Sequence, residues 1–420
     1  MSEQRSGLSR RGLLGAGVAA VGGAAAFGHV RATGEPTERE SNQALRHPFH
    51  GERQAGILTP MQDSLHFAAF DVITSSRDEL IDLLRRWTDI AERLTRGARI
   101  GDPASSYHAP PGDTGEVTDI PPAGLTITFG FGPTLFRTAD GHDRFDLAAR
   151  QPATLTRLPT FRGDRIDPER SYGDLCVQAC ANDPVVAVHA IRNLTRAAFG
   201  IARVRWSQLG FDQRSSPDTP QETSRNLFGF KDGTANLSSE DPEALNRHVW
   251  VGASADPAAS WLAGGTFLVT RRIAMHLETW DRAALMEQEA MIGRTKAEGA
   301  PLSGGTEFSE PNFRLTGRNG RPLISARAHV ALVHPSKNNG VQLLRRSYKF
   351  VDGTDDLGRL NAGEFFMAFC IDPHTHYVPL QHRLATLDVM SDYLQATSSG
   401  VWAIPPGIRA GEFAGQALFD

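Results

Sequence analysis

The chain has 420 residues, enough for two ordinary domains or for one large domain that buries a core around a cofactor. Its formal net charge of -4 gives no excess of basic residues, so nucleic acid is excluded as a partner. Three cysteines, Cys176, Cys180 and Cys370, are too few for the disulfide framework of a small exported protein, and we expect three buried thiols.

The first 32 residues differ in composition from the rest of the chain. The motif SRRGLL (9–14) precedes a Gly- and Ala-rich apolar run over 15–28, which has the form of a twin-arginine (Tat) export signal. A retained membrane anchor is the alternative, but a membrane span needs about 20 predominantly apolar residues. We predict a signal peptide over 1–32, a flexible tether over 33–46, and export by the Tat machinery to the periplasm, the cell envelope or the medium.

The first half of the folded part, 47–222, has a clear order of elements. Apolar and β-branched runs predict strands, and apolar residues at helical spacing predict helices. The predicted strands are 65–73, 125–132, 174–181 and 202–206, and the predicted helices are 76–94 and the segment after Asp183-Pro184. The resulting order, β-α-β-β-α-β, is typical of a ferredoxin-like domain with an antiparallel sheet and flanking helices.

The second half, 223–420, repeats this order loosely. The predicted strands are 266–277, 328–333, 343–348 and 364–371, and the predicted helices are 281–292 and 381–394. Even the turns are similar, since CANDP (180–184) resembles CIDP (370–373). We therefore predict an α+β protein of two tandem ferredoxin-like domains, 47–222 and 223–420. Edge strands on such sheets often pair between copies, which favours a homodimer.

The loop between the two halves contains the motif NLFGFKDGTAN (226–236). Gly229 and Gly233 bracket Asp232, so the main chain can turn tightly and hold the carboxylate toward a cavity. An Asp-Gly pair is also a common structural turn, and the segment lacks the alternating acids of a calcium-binding EF-hand. The motif alone leaves a structural turn and a functional acid both open.

Two further features follow in the second half. His329 lies in the apolar segment AHVALV (328–333), where a buried imidazole needs either a metal or a hydrogen-bond partner. Arg345 and Arg346 lie in LLRRSY (343–348), and adjacent strand residues face opposite ways, so one of them can enter a given cavity. His374 and His376 have the spacing of a strand metal site, but no third ligand is evident and we expect a solvated turn.

The order of these motifs resembles that of the dye-decolorizing peroxidases. The matching pattern is G-x-x-D-G, a histidine in an apolar segment, and L-R-R-x-Y, and the branch that looks most similar is the Tat-exported one, which includes proteins named deferrochelatase/peroxidase. The resemblance covers nearly the whole mature chain. Further matching segments are HPFHGERQAGI (47–57), LTITFGFGPTLF (125–136), GDLCVQACANDP (173–184), AVHAIRNL (187–194) and EQEAMIGR (287–294).

The resemblance implies one haem b per chain, between the sheet and the helices of the C-terminal domain. His329 would bind the iron on the proximal side, and Asp232 and Arg345 would be the distal catalytic residues. The other residues expected to contact the haem, besides Arg345, are Gly229, Phe230, Lys231, Gly233 and Thr234. The chain departs from the family at His334, where the branch often has Asn before proline and an Arg upstream. His334 is therefore a rival for the iron.

The implied activity is reduction of hydrogen peroxide via a ferryl intermediate, with oxidation of dyes, phenols or other bulky organic reductants. The alternatives are a haem-handling protein, which releases iron from haem or carries it for iron uptake, and a ferredoxin-like binding module without haem. A distal acid–base pair favours the peroxidase, since a carrier has no need of one. Because aspartate has a reference pKa of about 3.9, we predict highest activity in acid.

Overall fold

The computed structural model describes residues 45–101, 107–212, 223–253 and 256–420. The predicted export signal, 1–32, and all but the last two residues of the predicted tether, 33–46, lie outside the described residues. The described residues belong to one compact unit. Among them, no helix is both long and apolar enough to cross a lipid bilayer.

The first half follows the predicted order of elements. In chain order they are β1 (Ser64–Val72), α1 (Arg77–Thr95), β2 (Thr126–Phe131), the short α2 (Pro133–Phe136), β3 (Leu175–Ala181), α3 (Pro184–Ala197) and β4 (Ala202–Phe211). The two long helices begin at side-chain caps, since Ser76 accepts a hydrogen bond from the Glu79 amide and Asp183 accepts one from the Val185 amide. The predicted β-α-β-β-α-β order of this half is confirmed.

The second half contains more and shorter elements. They are α4 (Pro242–His248), β5 (Thr266–Met275), α5 (Leu277–Trp280), α6 (Leu285–Ile292), α7 (His329–Val333), β6 (Leu344–Arg345), β7 (Tyr348–Thr354), β8 (Leu360–Cys370), α8 (Pro373–Leu387) and β9 (Leu394–Ile404). Strands β6 and β7 pair with successive stretches of β8. With β6 and β7 counted as one strand position, this half also follows the β-α-β-β-α-β order.

The strands of both halves form one antiparallel sheet. Its order is β5-β9-β2-β3-β1-β4-β7-β8-β6, and β5 also pairs with β8, so the sheet closes on itself. The halves join at two narrow seams, where Phe131 pairs with Ala403 and Phe211 pairs with Lys349. Each of these seams is a single residue pair, so the sheet closes with little pairing between the two halves.

Alternation along the strands divides the core into two layers. In β1, Leu65, Phe67 and Ala69 point into the centre of the closed sheet, where they meet Trp402 of β9 and Phe365 of β8. The intervening residues of β1 pack outward beneath α1 and α3. Both halves contribute to the inner layer, which makes the sheet a shared scaffold for the loops and helices around it.

The predicted strand 328–333 is wrong, because these residues form helix α7, which begins at His329. A short apolar run has no periodicity that separates a strand from a buried helix, and packing decides. Here the segment packs against α6 and α8. His329 is therefore the first residue of a short helix.

The predicted helix 381–394 is displaced. Helix α8 begins eight residues earlier, at Pro373, where Asp372 accepts hydrogen bonds from the His374 and Thr375 amides, and strand β9 begins at Leu394. His374 and His376 consequently lie in the first turn of a helix, and the expectation of a solvated turn was wrong. The predicted helix 281–292 is present but starts four residues later, as α6, and the short helix α5 precedes it.

The cysteines behave as predicted. Cys176, Cys180 and Cys370 are all buried and free. Burial raises the pKa of each thiol, which keeps it protonated.

Candidate active site

A cavity of about 340 Å³ lies in the second half of the molecule. Its walls come from the loop 226–235, helices α7 and α8, and the cavity faces of β5 and β8. Residues 162–164, from the first half, also reach it. Asp232, Arg345 and His329 all line this one cavity, so the three main predicted site residues are brought together although 113 positions separate the outer two.

The loop that carries Asp232 is held by Asn226. The Asn226 side chain accepts hydrogen bonds from the Phe228 and Phe230 amides, at 3.1 and 3.3 Å, and donates one to Asp232 Oδ2 at 3.3 Å. Gly229 and Gly233 adopt φ values of 83° and 121°, which residues other than glycine rarely adopt. The loop geometry thus fixes the direction of the carboxylate.

Arg345 is positioned by a second asparagine. The Asn236 side chain donates to the Arg345 carbonyl and accepts from the Arg345 amide, both at 2.8 Å. Arg345 Nη1 then donates to Asp232 Oδ1 at 2.7 Å. The neighbouring Arg346 points the other way and donates to the Thr59 carbonyl, as the alternation of a strand predicts.

The Asp232–Arg345 pair keeps both groups charged. Burial alone would raise the pKa of Asp232, but the Arg345 guanidinium and the hydrogen bonds from Arg345 and Asn226 hold it below its usual value. Burial would likewise lower the pKa of Arg345, and the Asp232 carboxylate outweighs that effect and raises it. The carboxylate therefore stays ionised, and able to accept a proton, to a lower pH than an ordinary aspartate would.

His329 faces the same cavity. Its Nδ1 lies 2.7 Å from Asp388 Oδ2, and Asp388 Oδ1 accepts the Met390 amide at 2.9 Å. The Asp388 side chain is 4% exposed, whereas that of His329 is 34% exposed and lines the cavity. With Nδ1–H donated to the carboxylate, the lone pair of Nε2 is available to a metal.

The charge of His329 also depends on Asp388. Burial would lower the pKa of the imidazole, but the Asp388 carboxylate raises it above its usual value. Asp232 acts in the same direction and Arg345 in the opposite one, so the two charged pairs influence each other across the cavity. A carboxylate behind a histidine makes the imidazole a stronger donor to a metal.

His334, the rival ligand, also lines the cavity, but both of its ring nitrogens have partners. Nε2 lies 3.1 Å from Glu310 Oε1, and Nδ1 lies 2.9 Å from Ser336 Oγ. His329 is therefore the better placed of the two for a metal.

The residues around Asp232 differ in their roles. Phe230, Lys231, Gly233 and Thr234 line the cavity, whereas Gly229 does not. Lys231 Nζ and Thr234 Oγ1 bind opposite oxygens of Glu307, at 2.5 and 2.9 Å. An added Cβ at Gly229 would come within 2.8 Å of Lys296, so this glycine serves the loop itself.

Four site residues were not singled out from the sequence: Asp388, Asn226, Asn236 and Glu364. The asparagines lie within or at the ends of the recognised motif, where their spacing about Asp232 was a usable signal. Asp388 lies 59 residues from His329 and carries no local signal. Glu364 interrupts the apolar strand β8, and that interruption was readable.

A second group of possible metal ligands lies in the first half. Asp113, Glu116 and His189 bring their donor atoms within 4.8 Å of one another. His189 Nδ1 lies 2.7 Å from Glu116, and Asp113 accepts the Gly115 and Ile100 amides at 2.7 and 3.1 Å. These donors already satisfy one another, so we interpret the group as a structural brace.

Comparison with known proteins identifies the family of the chain. The family model described as "Dyp-type peroxidase, N-terminal" matches residues 54–212, and "Dyp-type peroxidase, C-terminal" matches 223–409. A protein named deferrochelatase from Shigella sonnei is 33% identical over 418 residues, which cover 98% of this chain and 96% of the relative.

Solved structures give the same result. Ferric DtpA from Streptomyces lividans aligns with a TM-score of 0.82 at 39% identity, covering 90% of this chain and 98% of that one. A DyP-type peroxidase from Cellulomonas bogoriensis aligns with a TM-score of 0.79 at 38% identity, covering 90% and 99% of the two chains. The chain therefore belongs to the Dyp-type peroxidase family, and it is a peroxidase.

Proposed function

We propose that the protein is a haem-dependent peroxidase that reduces hydrogen peroxide and oxidises dyes, phenols or other bulky organic donors. The observation that carries the proposal is the meeting of two charged pairs, Asp232–Arg345 and His329–Asp388, at one cavity. Family membership and the ferric state of the DtpA relative support the same cofactor.

The residues present fit a haem b group. A volume of about 340 Å³ lies within the ~300–1,000 Å³ range of ligand sites, and apolar side chains such as Phe366 and Leu384 line the walls. His329 offers an imidazole nitrogen for the iron. Arg294 adds a positive charge to the wall, and it suits a propionate group because its Nη1 already donates to two main-chain carbonyls and further N–H donors remain.

When bound, haem supplies the iron that binds peroxide and takes up its oxidising equivalents. Asp232 would accept the proton from the attacking peroxide oxygen at its carboxylate and return that proton to the oxygen that leaves as water. General acid–base transfer of this kind contributes typically ~10²–10⁴-fold to a rate.

Arg345 would supply fixed positive charge beside that transfer. Its guanidinium is bonded to Asp232 and its main chain is held by Asn236, so it needs no rearrangement to stabilise a developing anion. On the other wall, Asp388 would fix the ring orientation and tautomer of His329.

The alternative is a haem-handling protein that releases iron from haem or carries haem for iron uptake. The name deferrochelatase, which curated relatives carry, supports it. The Asp232–Arg345 pair favours peroxide chemistry, because carriage does not need a distal acid and base. The third alternative, a binding module without haem, has no support from a family of peroxidases.

The decisive experiment is the optical spectrum of the mature protein with haem supplied, before and after peroxide. The wild type is compared with His329→Ala and with His189→Ala, a histidine variant in the other half. We expect a ferric haem spectrum that changes with peroxide in the wild type and in His189→Ala, and that is lost in His329→Ala. Haem that binds but does not respond to peroxide would support the haem-handling alternative.

The remaining expectations belong to the same proposal. One haem b per chain would lie between the sheet and the helices of the second half, with contacts from Phe230, Lys231, Gly233 and Thr234. The domain division at 47–222 and 223–420 agrees with the gap between the two matched family models. Export by the Tat machinery to the periplasm or cell surface rests on the motif over 9–14. A homodimer, favoured by the tendency of edge strands to pair between copies, is part of the same proposal.

A further inference from the structure

Glu364 is an ionisable side chain on the cavity face of strand β8. Alternate residues Phe365 and Met367 are buried in the inner layer of the core, whereas Glu364 and Phe366 line the main cavity. A carboxyl group in this largely apolar strand costs free energy unless something compensates its burial. Nothing in the reaction described so far uses it.

A second, smaller cavity lies beside the first. It has a volume of about 90 Å³, well above the ~10–15 Å³ that one water molecule needs. Asp232, Arg345 and Glu364 line both cavities. Ser224, Ser347 and other polar groups form much of the remaining wall of the small cavity. Glu364 and the distal pair are therefore connected through a polar space with room for water.

Several charged groups of the described chain line the small cavity. They are the carboxyls of Asp212, Asp232 and Glu364 and the cations of Arg345 and Lys349, with the phenol of Tyr348 as the other ionisable group. Asp232 pairs with Arg345, and Asp212 pairs with Lys349. Within the described part of the chain, Glu364 forms no salt bridge, and its hydrogen-bond partner is the Ser347 hydroxyl. Among the described carboxyls of this wall, Glu364 is therefore the one without a cation in direct contact.

Glu364 is the acid in the best position to hold a proton. Burial raises its pKa first, and the nearby Asp232 carboxylate raises it further, to about 7, against the opposing effects of Ser347, Arg345 and Lys349. Asp232 is shifted in the opposite direction. The two carboxyls therefore separate into one ionised and one protonated group, as like charges that share a site do.

We propose that Glu364 is a positioning residue for the distal site: it holds a proton beside ionised Asp232, and it releases that proton through the small cavity as the pH rises. This inference rests on the proposed peroxidase function for its role in the reaction. Each release transfers one proton from the Glu364 carboxyl to water and leaves a second negative charge next to Asp232. That charge disfavours the binding of an anion in the cavity and the build-up of negative charge on peroxide. It therefore sets the upper pH limit of the peroxidase activity.

Infrared spectroscopy of the full-length holoprotein tests the proton directly. We expect the C=O band of a protonated carboxylic acid in the wild type, lost on titration with a midpoint of about 7. The band should be absent in Glu364→Gln, present in Glu364→Asp, and unchanged in Glu240→Gln, an exposed glutamate of the same chain. A wild-type spectrum without a carboxylic acid band between pH 5 and 8 would overturn the proposal.

A reciprocal variant tests the coupling while Glu364 stays in place, and it serves if Glu364→Gln does not fold. In Asp232→Asn the neighbouring negative charge is gone, so the midpoint of the Glu364 band should move to lower pH. An unmoved midpoint would contradict the coupling between the two carboxyls. The infrared result does not depend on turnover, so a protein without peroxidase activity could still show it, and the two proposals can fail separately.

Fluoride binding to the ferric holoprotein gives a third readout. Its affinity should fall through pH 7 in the wild type more steeply than in Glu364→Gln, because the variant cannot acquire the second negative charge. The alkaline side of the peroxidase pH profile should shift upward in the same variant. Equal pH dependence of fluoride binding in the two proteins would overturn the role proposed for Glu364.

Discussion

Each half of the molecule contains a histidine bound to carboxylate, but the two are arranged differently. His189, in the first half, is 1% exposed, and its ring nitrogens lie 2.7 Å from Glu116 and 3.5 Å from Asp113. His329, in the second half, forms a hydrogen bond to Asp388 through Nδ1 and lines a cavity. Both ring nitrogens of His189 have carboxylate partners, whereas Nδ1 alone of His329 has one. This difference fits a structural role for His189 and the proposed iron-binding role for His329.

The electrostatics of the two histidines differ in the same sense. Burial lowers the pKa of His189 despite the opposing effect of Asp113. The lowered pKa favours the neutral ring. For His329, Asp388 outweighs burial and raises the pKa. The raised value means that protons compete with a metal for His329 to a higher pH than they would for an ordinary histidine.

The largest effect that we expect within the second half comes from Asp232→Asn. The amide cannot take the proton from peroxide, so kcat/KM for peroxide should fall by ~10²–10⁴-fold. Haem should still bind with the wild-type ferric spectrum, because His329 is intact. Stopped-flow measurement with peroxide checks the rate, and a loss below tenfold would remove Asp232 from the proposed role.

Asp388→Asn should have a smaller effect. The variant keeps a hydrogen-bond partner for His329 but removes the negative charge. Mutation of a residue that orients a metal-binding histidine typically costs ~10–100-fold in metal affinity or activity. Haem retention measured by competition with apomyoglobin, together with the peroxidase rate, checks this. The matched control is Glu116→Gln beside His189, which should change neither quantity.

Arg345→Leu should change the pH dependence of the rate. The pKa of Asp232 is depressed in the folded protein, so the ionised base and its ion pair are present above that lowered value and are lost as pH falls through it. Without Arg345, burial is no longer outweighed and the pKa of Asp232 rises. The acid limb of the pH–rate profile should therefore move to higher pH. An acid limb at the wild-type position would show that another group controls it.

His189→Ala should have the smallest effect on activity and a measurable effect on stability. Removing the ring leaves the Glu116 and Asp113 carboxylates without this partner, which costs about 1–3 kcal/mol in the free energy of unfolding. Urea denaturation of the holoprotein measures the loss, and the peroxidase rate should remain within twofold of the wild type. A large loss of haem in this variant would contradict the structural role assigned to His189.

Much of the first half could be predicted from the sequence, because its strands and helices have clear periodicity and strong caps. The second half was harder, since short apolar segments such as 328–333 do not distinguish helix from strand. The cap at Asp372-Pro373 repeats the one at Asp183-Pro184, and reading it as a helix start would have placed α8 correctly. The first half of strand β9 is largely polar, with Gln395 and the Thr-Ser-Ser run 397–399, and the strand depends on its neighbours β5 and β2.

The site shows the same division between local and tertiary information. Local rules indicated a tight turn around Asp232 and showed that only one of Arg345 and Arg346 could face the cavity. The choice of Arg345, and of a functional rather than a structural Asp232, came from the resemblance to the peroxidases. The pairing of His329 with Asp388 and the meeting of Asp232 with Glu364 depend on how β8 and the segment after α8 are brought to the cavity. No rule of spacing within the sequence contains that information.

The position of β9 has a consequence for how the protein is made. This strand lies between β5 and β2, and its residues Leu394 and Ala396 form part of the cavity wall. A chain still on the ribosome, synthesised only through α8, has neither the closed sheet nor that wall. We therefore expect the cofactor to enter after translation has passed β9, so that synthesis, sheet closure and loading occur in that order, before any transport of the folded protein.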